Sequence, residues 1–248
     1  MRAAPSWLER PFQEVSFTAC DGIKLNGWFF PATPDSPRTR WSILFCHGNA
    51  GNISDRLEMC SVLLERGVGV FVFDYRGYGL SEGHPSESGT YHDAMAACQW
   101  LQSQGFADQN IIAFGESLGG GVASELALRR PLGGLVLQST FTSIPDIGAE
   151  LFPWLPVRLL STIKYDTCRR LPQLKIPVLV MHSPADELVP FHHATKNFAL
   201  ANEPKLFCEL EGGHNEPLSS RAKFADGLER FLAMIQTPGV SGQGDGKG

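Results

Sequence analysis

Between residues 41 and 210 the chain repeats one pattern, in which a short and nearly continuous apolar run gives way to a segment with apolar residues every three or four positions. A last strand is expected at 205–210, and the runs at 41–46, 68–73, 111–114, 134–138 and 177–182 lack the alternation of a strand with one wet face. Both of their faces must therefore be buried. Helical spacing at 53–66 puts Leu57, Cys60, Leu63 and Leu64 on one side, and spacing at 91–104 does the same for Ala94, Ala97, Cys98 and Leu101. Further helices are expected at 118–130, near 191–201 and from about 219 to 235. Apolar strands joined through amphipathic helices predict an α/β fold, a mostly parallel sheet with helices on both faces. Two β-type runs at 15–18 and 25–30, separated by Asp21-Gly22, predict an opening hairpin.

With 248 residues, a single domain over 1–238 is expected, and the Gly-rich polar stretch 239–248 reads as a disordered tail. Hydrophobic residues at 43% and charged residues at 19% specify a folded chain. The net charge of −5, with no Lys/Arg run, argues against a nucleic-acid partner. The six cysteines have no metal-ligand spacing and read as small buried apolar side chains in a reducing compartment. No apolar h-region marks the N-terminus, and no run approaches the roughly 20 apolar residues of a membrane span. A cytoplasmic protein without an integral membrane segment is expected.

Residues 140–171 interrupt the alternation. The segment carries Phe141, Ile144, Leu151, Phe152, Trp154, Leu155, Val157, Leu159 and Leu160 between two predicted strands. It reads either as a short lid insertion or as an excursion packed on the core, and the two readings are compatible.

Gly115-Glu116-Ser117-Leu118-Gly119 stands where the run 111–114 meets the helix at 118–130. Gly-x-Ser-x-Gly at a strand-to-helix junction is a nucleophile elbow, a turn too tight for side chains beside the serine. A serine hydroxyl needs a base, and the base needs an acid to orient it. In this setting the order along the chain is Ser, acid, His, each after a strand. Ser183-Pro184-Ala185-Asp186-Glu187 follows one strand and Glu211-Gly212-Gly213-His214 the next. Ser117, His214 and Asp186 are the expected nucleophile, base and acid, with Glu187 the competing acid. They fall at strand carboxyl ends, on one edge of the sheet. His182 reads as structural, and His192 and His193, at a helix start, as solvated or capping.

An oxyanion hole requires two backbone N–H donors. Leu118 is expected to supply one and Asn49 the other, with Ala50 the alternative in the loop His47-Gly48-Asn49-Ala50-Gly51-Asn52. His47 is expected to brace that loop. In Asp74-Tyr75-Arg76-Gly77-Tyr78-Gly79-Leu80-Ser81, Asp74 reads as a bracing residue paired with Arg76.

These last two blocks, with Gly115-Glu116-Ser117-Leu118-Gly119-Gly120 and Gly213-His214-Asn215, resemble the Bem46-like α/β-hydrolases across residues 15 to 235. That resemblance implies an eight-stranded, mostly parallel sheet and a triad at Ser117, Asp186 and His214. Many relatives carry glycine at the position of Ser183. Membrane-associated relatives carry an N-terminal span or a cysteine cluster for acylation, and this chain shows neither, which suggests a soluble member. The expected activity is hydrolysis of a small or lipid-like acyl ester or thioester, with no cofactor and no metal. A serine in the elbow excludes the aspartate-nucleophile hydrolases of this superfamily. The alternatives are a serine peptidase or amidase, and a non-catalytic binding protein on the same scaffold.

Overall fold

The structure is a computed structural model that describes residues 4–236. Its strands are β1 (Gln13–Thr18), β2 (Lys24–Phe30), β3 (Ser42–Cys46), β4 (Gly69–Phe73), β5 (Ile111–Glu116), β6 (Gly134–Gln138), β7 (Val178–His182) and β8 (Lys205–Glu209). They form one eight-stranded sheet in the order β1-β2-β4-β3-β5-β6-β7-β8. The β1–β2 and β2–β4 pairings are antiparallel and the other five parallel. The opening hairpin and the doubly covered strands were legible from their patterns. Every residue of β3, β4, β6 and β7 is buried. The edge strand β1 alternates instead, turning Val15 and Phe17 inward.

The helices of the layers are α1 (Leu57–Leu64), α2 (Glu87–Ser103) and α3 (Leu118–Arg129), then, beyond the 140–171 segment, helices at Phe191–Leu200 and Arg221–Gln236. Leu57, Leu63, Phe224 and Phe231 pack on one face of the sheet with Ile43, Phe45 and Phe114. Ala94, Val122 and Ala194 pack on the other with Leu44, Ala113 and Leu137. Because β4 lies on one side of β3 and β5 on the other, the chain reverses direction across the sheet at β3/β5. The loops leaving β3 and β5 diverge there and leave a crevice at the strand carboxyl ends.

Two helix starts differ from expectation. The segment expected to be helical from 53 opens as a 3-10 turn, Ile53–Arg56, held by a reciprocal cap between Asn52 and Asp55. Helix α2 begins a turn before residue 91, because the Ser86 hydroxyl accepts the Gly89 N–H at 3.1 Å.

The 140–171 segment folds into α4 (Ile144–Leu151), α5 (Val157–Leu160) and α6 (Thr167–Arg170), which places the remaining two helices as α7 (Phe191–Leu200) and α8 (Arg221–Gln236). Its two ends pack: Phe141, Ile147, Tyr165 and Leu171 are buried. Arg170 secures the return, donating to Gly121 O at 3.1 Å and Tyr91 Oη at 2.7 Å and pairing with Glu125 at 2.6 Å. Its middle does not pack. Trp154 is 74% exposed and Leu159 87%, and Leu151, Phe152, Leu155 and Leu160 are exposed beside them.

Cys46, Cys60, Cys98 and Cys208 are buried, Cys168 is half-buried, and none of the six is bonded to another. Cys20 is exposed, against the expectation of burial, because it sits in the tight turn of the β1–β2 hairpin. Among the described residues no helix is long and apolar enough to cross a membrane. The expected tail at 239–248 lies outside the described residues.

Candidate active site

Ser117 leaves β5 with φ 50° and ψ −115°, a backbone state that only its surroundings can enforce. Its N–H donates to Gln138 O at 2.8 Å, and its carbonyl accepts the Gly120 N–H at 3.0 Å. The glycines are sterically required. A Cβ on Gly119 would lie 2.0 Å from Cys46 O, and one on Gly115 would lie 2.5 Å from Gly120 Cα.

The structure brings Ser117, His214 and Asp186 together across the ends of β5, β7 and β8. His214 Nε2 lies 3.1 Å from Ser117 Oγ, and its Nδ1 lies 2.8 Å from Asp186 Oδ2. The Asp186 side chain is fully buried, and its Oδ1 accepts the N–H groups of Leu188 at 3.0 Å and Val189 at 2.8 Å. Burial by itself would raise this carboxyl, but hydrogen bonds from His214 and the Val189 amide, with the neighbouring imidazoles, hold it below its ordinary value. An ionised Asp186 accepts a hydrogen bond from His214 Nδ1–H, which leaves the Nε2 lone pair facing the serine hydroxyl.

Glu187, the competing acid, lands elsewhere. Its Oε2 accepts the backbone N–H of His214 at 3.0 Å, in space that Gly213 leaves open, since a Cβ there would lie 2.6 Å from that oxygen. The two adjacent carboxylates thus hold one histidine by its ring and by its backbone. Gly212, at φ +87°, turns the loop that carries it. His182 is fully buried, with Nε2 2.8 Å from Val189 O and 3.3 Å from Asp186 Oδ2, so it ties the two ends of the acid loop. Only its place at a strand end signalled that bracing role.

The loop after β3 is held from below. The Glu116 carboxylate accepts Arg56 Nε at 2.6 Å and the Gly48 N–H at 3.3 Å, while Arg56 Nη2 donates to Ala50 O at 2.8 Å. Sequence reasoning missed this Arg56–Glu116 pair, although Glu116 is one of the two variable residues of the elbow motif. With Gly48 engaged, the backbone amides of Asn49 and Leu118 donate to no other group among the described residues. The Asn49 side chain accepts the Tyr78 hydroxyl at 2.9 Å. A cleft of about 680 Å³ opens beside this loop, between Ala50, Arg56, Glu116 and Asn215.

His47 braces its loop. Its Nδ1 lies 2.7 Å from Gly48 O, its carbonyl accepts the Tyr75 hydroxyl at 3.0 Å, and its Nε2 lies 3.5 Å from Asp74 Oδ1. Asp74 in turn accepts the Ile53 N–H at 3.0 Å. Arg76 does not pair with Asp74 as expected. It binds Asp93 at 2.8 Å and Asp21 at 2.7 Å, because its side chain leaves the loop toward α2 and the hairpin. His193 is also a correction. It is 1% exposed, and its Nδ1 faces the Thr142 hydroxyl at 2.9 Å, whereas His192 is exposed.

An eight-stranded sheet of this order, with a serine held on a strained strand-to-helix turn above the β3/β5 crevice, defines the α/β-hydrolase class. The chain belongs to the family described as serine aminopeptidase, S33, whose model matches residues 37–167. It is 44% identical over 223 residues to Rv2307c of Mycobacterium tuberculosis, covering 89% of this chain and 79% of that protein. It is 30% identical over 210 residues to the bem46 protein of Schizosaccharomyces pombe, covering 81% of this chain and 69% of that one. In fold it is similar to the esterase Pf2001 of Pyrococcus furiosus, with a TM-score of 0.74 and 20% identity over 94% of both chains.

Proposed function

We propose that this α/β-hydrolase cleaves carboxylic acyl esters or thioesters through an acyl-enzyme formed on Ser117. The observation that carries the reading is His214, 3.1 Å from Ser117 Oγ on one side and 2.8 Å from Asp186 on the other. Ser117 Oγ attacks the substrate carbonyl as His214 Nε2 takes its proton. Asp186 holds the ring in the required tautomer and stabilises the imidazolium. The unengaged amides of Leu118 and Asn49 donate to the tetrahedral oxyanion. Collapse expels the alcohol or thiol with the proton from His214. Water, deprotonated by the same nitrogen, then releases the acid and restores the serine. The substrate is a small or lipid-like acyl compound, and the chemistry calls for no metal or cofactor. Unpaired cysteines suit a reducing compartment such as the cytoplasm.

A second reading, amide cleavage, is favoured by the serine aminopeptidase description of the matching family. The same three side chains would serve it, with His214 protonating an amine as it leaves.

The test is intact-mass analysis after exposure to a fluorophosphonate, for wild type, Ser117→Ala and His214→Ala. One adduct is expected on wild type, none on Ser117→Ala, and a strongly slowed reaction on His214→Ala. The kcat of Ser117→Ala is expected to fall by roughly 10³-fold or more. A folded wild-type chain that takes no adduct and hydrolyses neither p-nitrophenyl esters nor aminoacyl p-nitroanilides would instead indicate a binding protein. The ratio of ester to anilide turnover separates the two enzymatic readings.

A further inference from the structure

Two donor clusters among the described residues lie outside the proposed chemistry, and the better placed of them joins α4 to α7. Glu150, on the last turn of α4, meets His192 and His193 in the first turn of α7. Glu150 Oε1 lies 3.0 Å from His192 Nε2 and 3.4 Å from His193 Nε2. The three donor atoms all lie within 4.8 Å of one another, and the two imidazoles stack with centroids 4.5 Å apart. His193 Nε2 is buried and makes no hydrogen bond, although it faces this cluster. A buried, unspent nitrogen aimed at a carboxylate is costly unless something occupies it.

The surroundings of His193 fit a ligand. Its Nδ1 lies 2.9 Å from Thr142 Oγ1, which in turn donates to Asp146 Oδ2 at 2.9 Å. A proton on Nδ1, donated into that Thr142–Asp146 chain, leaves a lone pair on Nε2, the tautomer a metal requires. The Thr142 N–H, 3.2 Å from the same Nδ1, favours the opposite tautomer, and a cation at Nε2 selects between the two.

We propose that Glu150, His192 and His193 bind one divalent transition ion of the zinc class. Two imidazoles and a carboxylate suit zinc, whereas calcium and magnesium require all-oxygen sets. Zinc–nitrogen and zinc–oxygen bonds of about 2.0–2.2 Å in a tetrahedral site place neighbouring donors about 3.3 Å apart. The separations from Glu150 Oε1 already bracket that value. His192 and Glu150 are partly exposed, so water completes the coordination and the ion has a path in. The ion would clamp α4, from which the exposed apolar stretch departs, onto α7. A second donor group, Cys20, Asp21 and His92, is poorer, because Arg76 engages both Asp21 oxygens at 2.7 and 3.1 Å.

The test is calorimetric titration of the full chain with zinc chloride, in a Cys20→Ser background that removes the second group. One zinc ion per chain is expected, with affinity lowered at least tenfold in both Glu150→Gln and His192→Gln. Both residues lie at the surface, so neither change threatens folding. No saturable zinc uptake, or unchanged affinity in the two variants, would overturn the assignment. So would magnesium or calcium binding as tightly as zinc. The readout is metal uptake, so it stands apart from the hydrolase reading, which fluorophosphonate labelling of the same variants checks independently.

Discussion

Asp186 and Glu187 are neighbours in sequence and both touch His214, yet the geometry assigns them different tasks, and Asp186→Asn separates those tasks. The Leu188 and Val189 amides both donate to Asp186 Oδ1, so an asparagine keeps its oxygen there and turns its NH₂ toward His214 Nδ1. A donor at that position forces Nδ1 to accept. The ring proton then sits on Nε2, against Ser117 Oγ, and the base is lost. The charge is lost as well. Two unit charges about 4 Å apart at an effective dielectric of about 20 interact by about 4 kcal/mol. At 1.36 kcal/mol per decade this is about 10³-fold in rate. The inverted tautomer extends the loss toward about 10⁴-fold, the scale of the same change in the Ser-His-Asp template. In Glu187→Gln an oxygen remains to accept the His214 N–H, and only the charge assistance goes, about 1 kcal/mol or under tenfold. The assay is kcat/KM on p-nitrophenyl butyrate, with circular dichroism to confirm folding. A Glu187→Gln loss as deep as that of Asp186→Asn, or an Asp186→Asn enzyme within tenfold of wild type, would refute the reasoning.

Gly119→Ala would put a methyl 2.0 Å from Cys46 O and 2.7 Å from His47 O, so the elbow must move by about 1 Å, and a loss of about 10²-fold or more in kcat is expected; near-normal turnover would show that the turn is slack. Burial pushes the thiols of Cys46 and Cys98 up to about 12 and also raises that of Cys60, while Cys20 is exposed. Iodoacetamide at pH 8 should therefore label Cys20 and spare those three in the native chain, as read by peptide mass mapping; native labelling of Cys46 would count against the packing of β3. The depressed Asp186 carboxyl binds its proton less readily folded than unfolded, so its stabilisation is complete above its ordinary value of 3.8 and is lost as pH falls through the lower folded value. Urea midpoints between pH 5 and pH 2.5 should fall less in Asp186→Asn than in wild type, and parallel curves would remove the linkage.

The strands were legible because each is a local object. A continuous apolar run bounded by turn residues reports burial on both faces without knowledge of its neighbours, and β6 was bounded to the residue. Helix starts were less legible where the signal is one hydroxyl, as at Ser86, or a reciprocal cap, as at Asn52 and Asp55. The site candidates were legible for a related reason. Ser117, Asp186 and His214 each follow a strand, and parallel strands in one sheet deliver their carboxyl ends to one edge.

The order of apolar runs along the chain, read alone, determined the layered fold and the edge that bears the candidate site, and the motifs at the strand ends narrowed the side chains able to meet there to Ser117, His214 and one of two adjacent carboxylates. Periodicity and chain order are one-dimensional quantities, and a sequence carries them whole. Only the tertiary structure decided where long or charged side chains point. It sent Arg76 to Asp93 and Asp21 rather than Asp74, Glu187 to a backbone N–H rather than a ring, and Glu116 beneath the β3 loop with Arg56. It also buried His193 while leaving Trp154 in solvent. Those outcomes depend on which surfaces from distant parts of the chain arrive side by side, and spacing along the chain does not encode a direction in space.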